Sequence, residues 1–216
     1  MNGIWALLLL LLVSVLPAMI AFVWYRAANS PVTAHWFLLS LTAGIFSLFP
    51  AALIQNFFPY GPANGLGYLL FGVFIRVALA EEASRLVVLT PLLKISARRR
   101  SIDSSFAAAI GLVAGLGFAA AENAFYGTAD FRISLFRAFT AAPLHAACAI
   151  RTSLAVFHFR QKPPKALFLF ASAVIIHGAY NLMIISPSFP SVLAVPAAIA
   201  AFFATLPYLR DSENDN

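Results

Sequence analysis

Seven long apolar runs separated by short loops constrain this chain more than any other feature. They cover residues 4–25, 36–54, 66–93, 106–126, 135–159, 166–185 and 190–209. A helix rises about 1.5 Å per residue, so roughly 20 residues cross a hydrocarbon layer of about 30 Å. In lipid every backbone N–H and C=O must find a partner within the protein, and a helix satisfies them locally. Hydrophobic residues make up 62% of the chain and charged residues 10%, against about 25% charged in a soluble domain. The chain therefore reads as an all-α integral membrane protein with about seven transmembrane helices. Its 216 residues form one polytopic domain and leave no room for a separate soluble one. No Lys or Arg precedes the first run, which is also longer than the apolar stretch of a signal peptide, so it reads as a retained helix.

The basic residues orient the bundle. Arg26, Lys94, Arg98, Arg99, Arg100, Arg160, Lys162, Lys165 and Arg210 fall on one side, and Arg132 and Arg137 on the other. Positive charge marks the cytoplasmic face, so the N-terminus is expected outside and the C-terminus in the cytoplasm. The net charge of +6 is thus a topology signal and not a nucleic-acid-binding surface. The single Cys148 excludes an internal disulfide framework and a multi-cysteine metal site.

The run 66–93 carries an expensive interruption, Ala80-Glu81-Glu82-Ala83-Ser84-Arg85. As a helix the run would span roughly 42 Å, with the two carboxylates near its centre. Each ionised group there costs about 2.5 kcal/mol or more. Arg85 lies one turn from both glutamates and can neutralise one of them. The next three runs add Glu122 and Asn123, then His145 and Arg151, then His177 and Asn181. Intramembrane ionisable groups face the bundle interior, and four successive helices contributing them points to one shared centre. Glu122, His145 and His177 form the His₂Glu set of many catalytic zinc sites. Glu81 is then a spare carboxylate able to take a proton from water. Taken singly, the Glu–Arg pair reads as a structural ion pair and His145 as a core histidine. Arg76, Arg137 and Arg151 read as snorkelling or structural cations. In the fourth run, Gly111-x-x-x-Gly115 and Gly117 offer small surfaces for close helix contact.

Glu81-Glu82-x-x-Arg85, Phe118-x-x-x-Glu122-Asn123, His145-Ala146 and His177-x-x-x-Asn181 together resemble the four motifs of the PrsW intramembrane protease family. That family is related to the CAAX prenyl endopeptidases and the bacterial ABI proteins. The resemblance spans about residues 67–181, so the core is expected at about 67–185, with peripheral helices at 4–25, 36–54 and 190–209. It implies hydrolysis of a peptide bond within the bilayer of the bacterial cytoplasmic membrane. Glu81 matches the water-activating glutamate, and Glu82 with Arg85 its supporting pair. His145 and His177 match the site histidines and Asn181 the polarising amide. The chain departs from the CAAX pattern in having two residues before Arg85 instead of three, and Glu122 where those enzymes show a histidine. A divalent metal, zinc first, is the implied cofactor, although related enzymes can activate water with glutamate and histidine directly. The implied substrate is a membrane-anchored protein of the anti-sigma-factor type. The same Glu/His/Arg cluster would also suit a proton- or cation-coupled transporter or channel, or a non-catalytic membrane interaction protein. No inverted repeat or pair of broken helices favours transport.

Overall fold

The computed structural model describes residues 3–28, 32–58, 65–128 and 130–210. Among them the chain is helical throughout, with no strand. The α-helices are α1 (Gly3–Ala27), α2 (Ala34–Phe46), α3 (Leu48–Asn56), α4 (Leu66–Leu70), α5 (Ala80–Arg99), α6 (Ser104–Gly127), α7 (Phe131–Phe139), α8 (Ala141–His158), α9 (Pro163–Ile185) and α10 (Ala194–Phe203). A π-helical segment, Phe71–Leu79, joins α4 to α5 without leaving helical backbone geometry. Part of the loop expected at 56–65 and the polar tail at 211–216 lie outside the described residues.

Five stretches are long and apolar enough to cross a membrane, and six if α7 and α8, bent by 46°, count as one. The remaining run, 66–99, is one continuous helical rod. Arg76, Glu81, Glu82 and Arg85 make it too charged to rank with the others. The seven runs are therefore all helical, and the one that falls below the apolarity of a simple span carries the polar centre.

Prolines account for two breaks. Pro50 has no N–H for the carbonyl of Phe46, and its ring crowds that carbonyl. α2 ends at Phe46, and Ser47 turns the chain into α3 while its hydroxyl donates to Gly44 O at 2.7 Å. Pro143 acts in the same way on Phe139, where α7 ends and the 46° bend begins. Asp103 and Asp130 open α6 and α7 by accepting from the backbone N–H of Phe106 at 2.7 Å and of Arg132 at 2.9 Å, an ordinary N-cap arrangement.

Helix α6 is the axis of the bundle and is buried along most of its length. It packs on α8 through Gly111 and Gly115. A Cβ at Gly111 would lie 2.5 Å from Ala149 O, and one at Gly115 would lie 2.7 Å from Ala146 Cα. Its opposite face meets α2, where Gly44 lies against the Ala114 backbone and Gly117 against Leu41 O. The small residues foreseen as contact surfaces thus hold backbone against backbone on two sides. These contacts set the distance between the helix carrying Glu122 and the helix carrying His145.

Candidate active site

The π segment ends immediately before Glu81 and Glu82. A π-helix shifts the side-chain register of the helix beyond it, and such segments recur at functional sites. From this point Glu81, Glu82 and Arg85 turn inward and are at least nine-tenths buried. Arg85 is bonded to Glu82 and lies 3.5 Å from Glu81 Oε2. Its guanidinium covers the Phe118 ring at 4.0 Å from the centroid, which gives the phenylalanine of the Phe118-x-x-x-Glu122 spacing a task. Its Nη2 lies 2.7 Å from His145 Nδ1.

Because guanidinium only donates, Nδ1 of His145 accepts and Nε2 carries the proton. That Nε2 donates to Glu122 Oε2 at 2.8 Å. The second histidine is held from the other side. His177 Nδ1 lies 2.9 Å from Glu82 Oε1, and Thr152 Oγ1 donates to Glu82 Oε2 at 2.8 Å. With Nδ1 turned to a carboxylate, His177 Nε2 presents its lone pair towards Glu81, 3.6 Å away. The two imidazoles meet edge to face, with centroids 5.0 Å apart.

The three glutamates are not equivalent. Glu82 is enclosed by Arg85, His177 and Thr152. Glu122 is gripped by Arg137 Nη2 at 2.5 Å as well as by His145. Among the described residues Glu81 has only long contacts, to Gln55 Nε2 at 3.4 Å, Arg85 at 3.5 Å and His177 at 3.6 Å. Glu81, Glu122 and His145 line a cavity of about 810 Å³, together with Asn181, Tyr180, Arg137 and Gln55. Asn181 is half-buried one turn after His177, and its amide makes no hydrogen bond to the described residues. Glu81, His145 and His177 each place a ligand atom within 4.8 Å of the other two.

A family model for PrsW family intramembrane metalloproteases matches residues 32–207. The chain belongs to the PrsW family. It is a multi-pass membrane protein and a protease, and a membrane protein substrate goes with that activity. No curated protein and no solved structure gives a match. The PrsW match runs beyond residues 67–181 at both ends, and the site does so as well. Gln55 on α3 reaches Glu81, and Ser84 donates to Ser47 O at the α2–α3 turn.

The donors present fit the metal implied by the PrsW family. Two imidazoles and a carboxylate form a donor set that zinc accepts. His177 has the carboxylate-backed orientation typical of a ligating histidine. Glu81 is the carboxylate grouped with both histidines, whereas Glu122 is bound to His145 and Arg137.

Of the residues singled out from sequence, Glu81, Glu82, Arg85, Glu122, His145 and His177 form one connected network, and Asn181 faces the same cavity. Arg151 turns away to the carbonyl of Ala147 at 3.0 Å. Gln55, Thr152 and Arg137 join the site without having been expected there. Thr152 is two helical turns from His145, a spacing that puts both on one face. Arg137 gave no signal beyond its charge, because the bend at Thr140 brings it back over Glu122.

Proposed function

We propose that this protein hydrolyses a peptide bond of a single-pass membrane protein, with Glu81, Glu122, His145, His177 and Asn181 surrounding the reacting carbonyl. The observation that carries this reading is the convergence of Glu81 with both imidazoles, where Glu81 and His145 line a cavity that Asn181 also lines. Glu81 takes the proton of the attacking water and returns it to the leaving amine. Its long contacts support this role, since a proton carrier has to turn between two partners. Glu122, fixed by Arg137, would serve with His145 and His177 as the ligand set for a divalent cation, the His145 Nε2 giving up the proton it shares with Glu122 to take the cation in its place. Such a cation, zinc by its preference for these donors, would polarise water and carbonyl as a Lewis acid. Glu82 and Thr152 hold His177 in its tautomer, and Arg85 holds Glu82 and the His145 ring. The uncommitted amide of Asn181 donates to the oxyanion.

The chain is one domain with its catalytic core at about 67–185, extended by Gln55. It crosses the bacterial cytoplasmic membrane seven times, with the N-terminus outside. The substrate is of the anti-sigma-factor type. The test uses protein purified and reconstituted with a tagged single-pass reporter. Glu81→Gln should abolish cleavage and keep bound metal, and Glu122→Gln should lose both. Cleavage that persists in Glu81→Gln overturns the mechanism. Metal lost from Glu81→Gln but kept by Glu122→Gln exchanges the roles of the two carboxylates.

A further inference from the structure

Arg137 sits in the last turn of α7, across the bend from His145. α7 lies along the cavity and lends it Arg132, Ile133, Phe136 and Arg137. Among the described residues, three contacts of the Arg137 side chain are to α6. Nη2 is 2.5 Å from Glu122 Oε2, Nε donates to Asn123 Oδ1 at 3.0 Å, and the guanidinium covers the Tyr126 ring at 4.2 Å. The oxygen that Arg137 grips is the one that accepts from His145 Nε2. Two donors on one oxygen leave the Glu122 carboxylate little freedom. Asn123 is fully buried, and its Oδ1 is the acceptor that fixes the guanidinium plane.

We propose that Arg137 is a positioning residue: it holds Glu122 against His145, so the short helix over the cavity fixes an imidazole of the site. The link to turnover rests on the hydrolytic reading above, whereas the link to the imidazole does not. Without Arg137, Glu122 keeps His145 as its one short partner and faces the open cavity. The His145 Nε2–H then loses a fixed acceptor, while Arg85 still occupies Nδ1. Lysine would keep the charge but not the fork that spans Glu122 and Asn123.

The test compares wild type, Arg137→Gln and Arg137→Lys, each folded in lipid nanodiscs and free of added metal. In ¹⁵N-histidine-labelled protein, the His145 Nε2–H proton should resist solvent exchange in wild type. Its signal is assigned by its loss in His145→Asn. It should vanish in Arg137→Gln and persist in Arg137→Lys. With the single-pass reporter, Arg137→Gln should lower kcat by roughly 10- to 100-fold, the cost typical of losing an outer partner of a site histidine. The loss should fall on kcat more than on KM. A protected Nε2–H proton in Arg137→Gln overturns the proposal. If Arg137→Gln does not fold, Arg137→Lys decides: proton protection and kcat kept together or lost together support the role, and either one lost without the other refutes it. If wild type cleaves no reporter, the hydrolytic reading fails while the proton signal still judges Arg137.

Discussion

Gly115→Ala tests whether the backbone contact between α6 and α8 sets the geometry of the site. The added Cβ would lie 2.7 Å from Ala146 Cα and nearer still to the His145 carbonyl. Both neighbours are backbone, so no side-chain rotation relieves the clash. The His145 carbonyl oxygen would be 2.4 Å away and ordinary contact starts near 3.4 Å, so the helices must part by about 1.0 Å. Overpacking of this kind costs ~1–3 kcal/mol, and alanine returns roughly 1 kcal/mol through its better helix propensity. The net loss of stability is therefore small, about 0–2 kcal/mol by those two terms. The geometric effect is larger, because the clash is with His145 itself and Glu122 lies two turns further along α6. A misplacement near 1 Å costs on the order of 100-fold in rate, so reporter cleavage should fall roughly 10- to 100-fold while the melting temperature falls by only a few degrees. Gly67→Ala is the control, since a Cβ there meets nothing within 4 Å. Wild-type turnover in Gly115→Ala would refute the claim that this contact sets the Glu122–His145 distance.

Arg85→Met leaves Glu82 buried without its cation, which should cost about 3–5 kcal/mol in a thermal or denaturant titration. The double change Glu82→Leu with Arg85→Met should recover most of that stability and remain inactive, because His177 has lost its acceptor. Glu82→Gln should weaken Co²⁺ binding by roughly 10- to 100-fold in a spectroscopic titration, as expected when the partner of a ligating histidine is altered. Thr152→Val removes a hydroxyl donor to a carboxylate at nearly constant volume, with an expected loss of about 1.5–3 kcal/mol in the same unfolding assay.

The helical runs were legible in the sequence because apolar length is a strong signal in a membrane protein. The inward-facing groups were legible because an ionisable residue in such a run has few places to go. Spacing let Arg85 reach either Glu81 or Glu82, and the structure bonds it to Glu82 and leaves Glu81 at 3.5 Å. The contact through Gly111 and Gly115 was also readable, since only a missing Cβ permits it. Other features depend on three-dimensional placement. Arg137 reaches Glu122 only because Pro143 breaks the fifth run and the helix returns at 46°. Pro143 carries that signal, yet the direction of the bend is not written in it. Gln55 reaches Glu81 because Pro50 and Ser47 turn α3 towards the rod 66–99. The π segment has no sequence signature, because its hydrogen-bond register is set by packing against α9, where Gly178 admits the Phe74 ring. The grouping of Glu81, and not Glu122, with both histidines depends on Arg137 engaging Glu122.

X-ray absorption at the zinc edge of the protein purified with zinc tests the central claim most directly. The expected result is one metal per chain, with two imidazole nitrogens at about 2.0–2.1 Å and carboxylate oxygen completing the shell. One imidazole should disappear from the spectrum in His145→Ala and one in His177→Ala. Absence of stoichiometric metal, or a spectrum unchanged in both variants, would contradict a metal centre built on these two histidines.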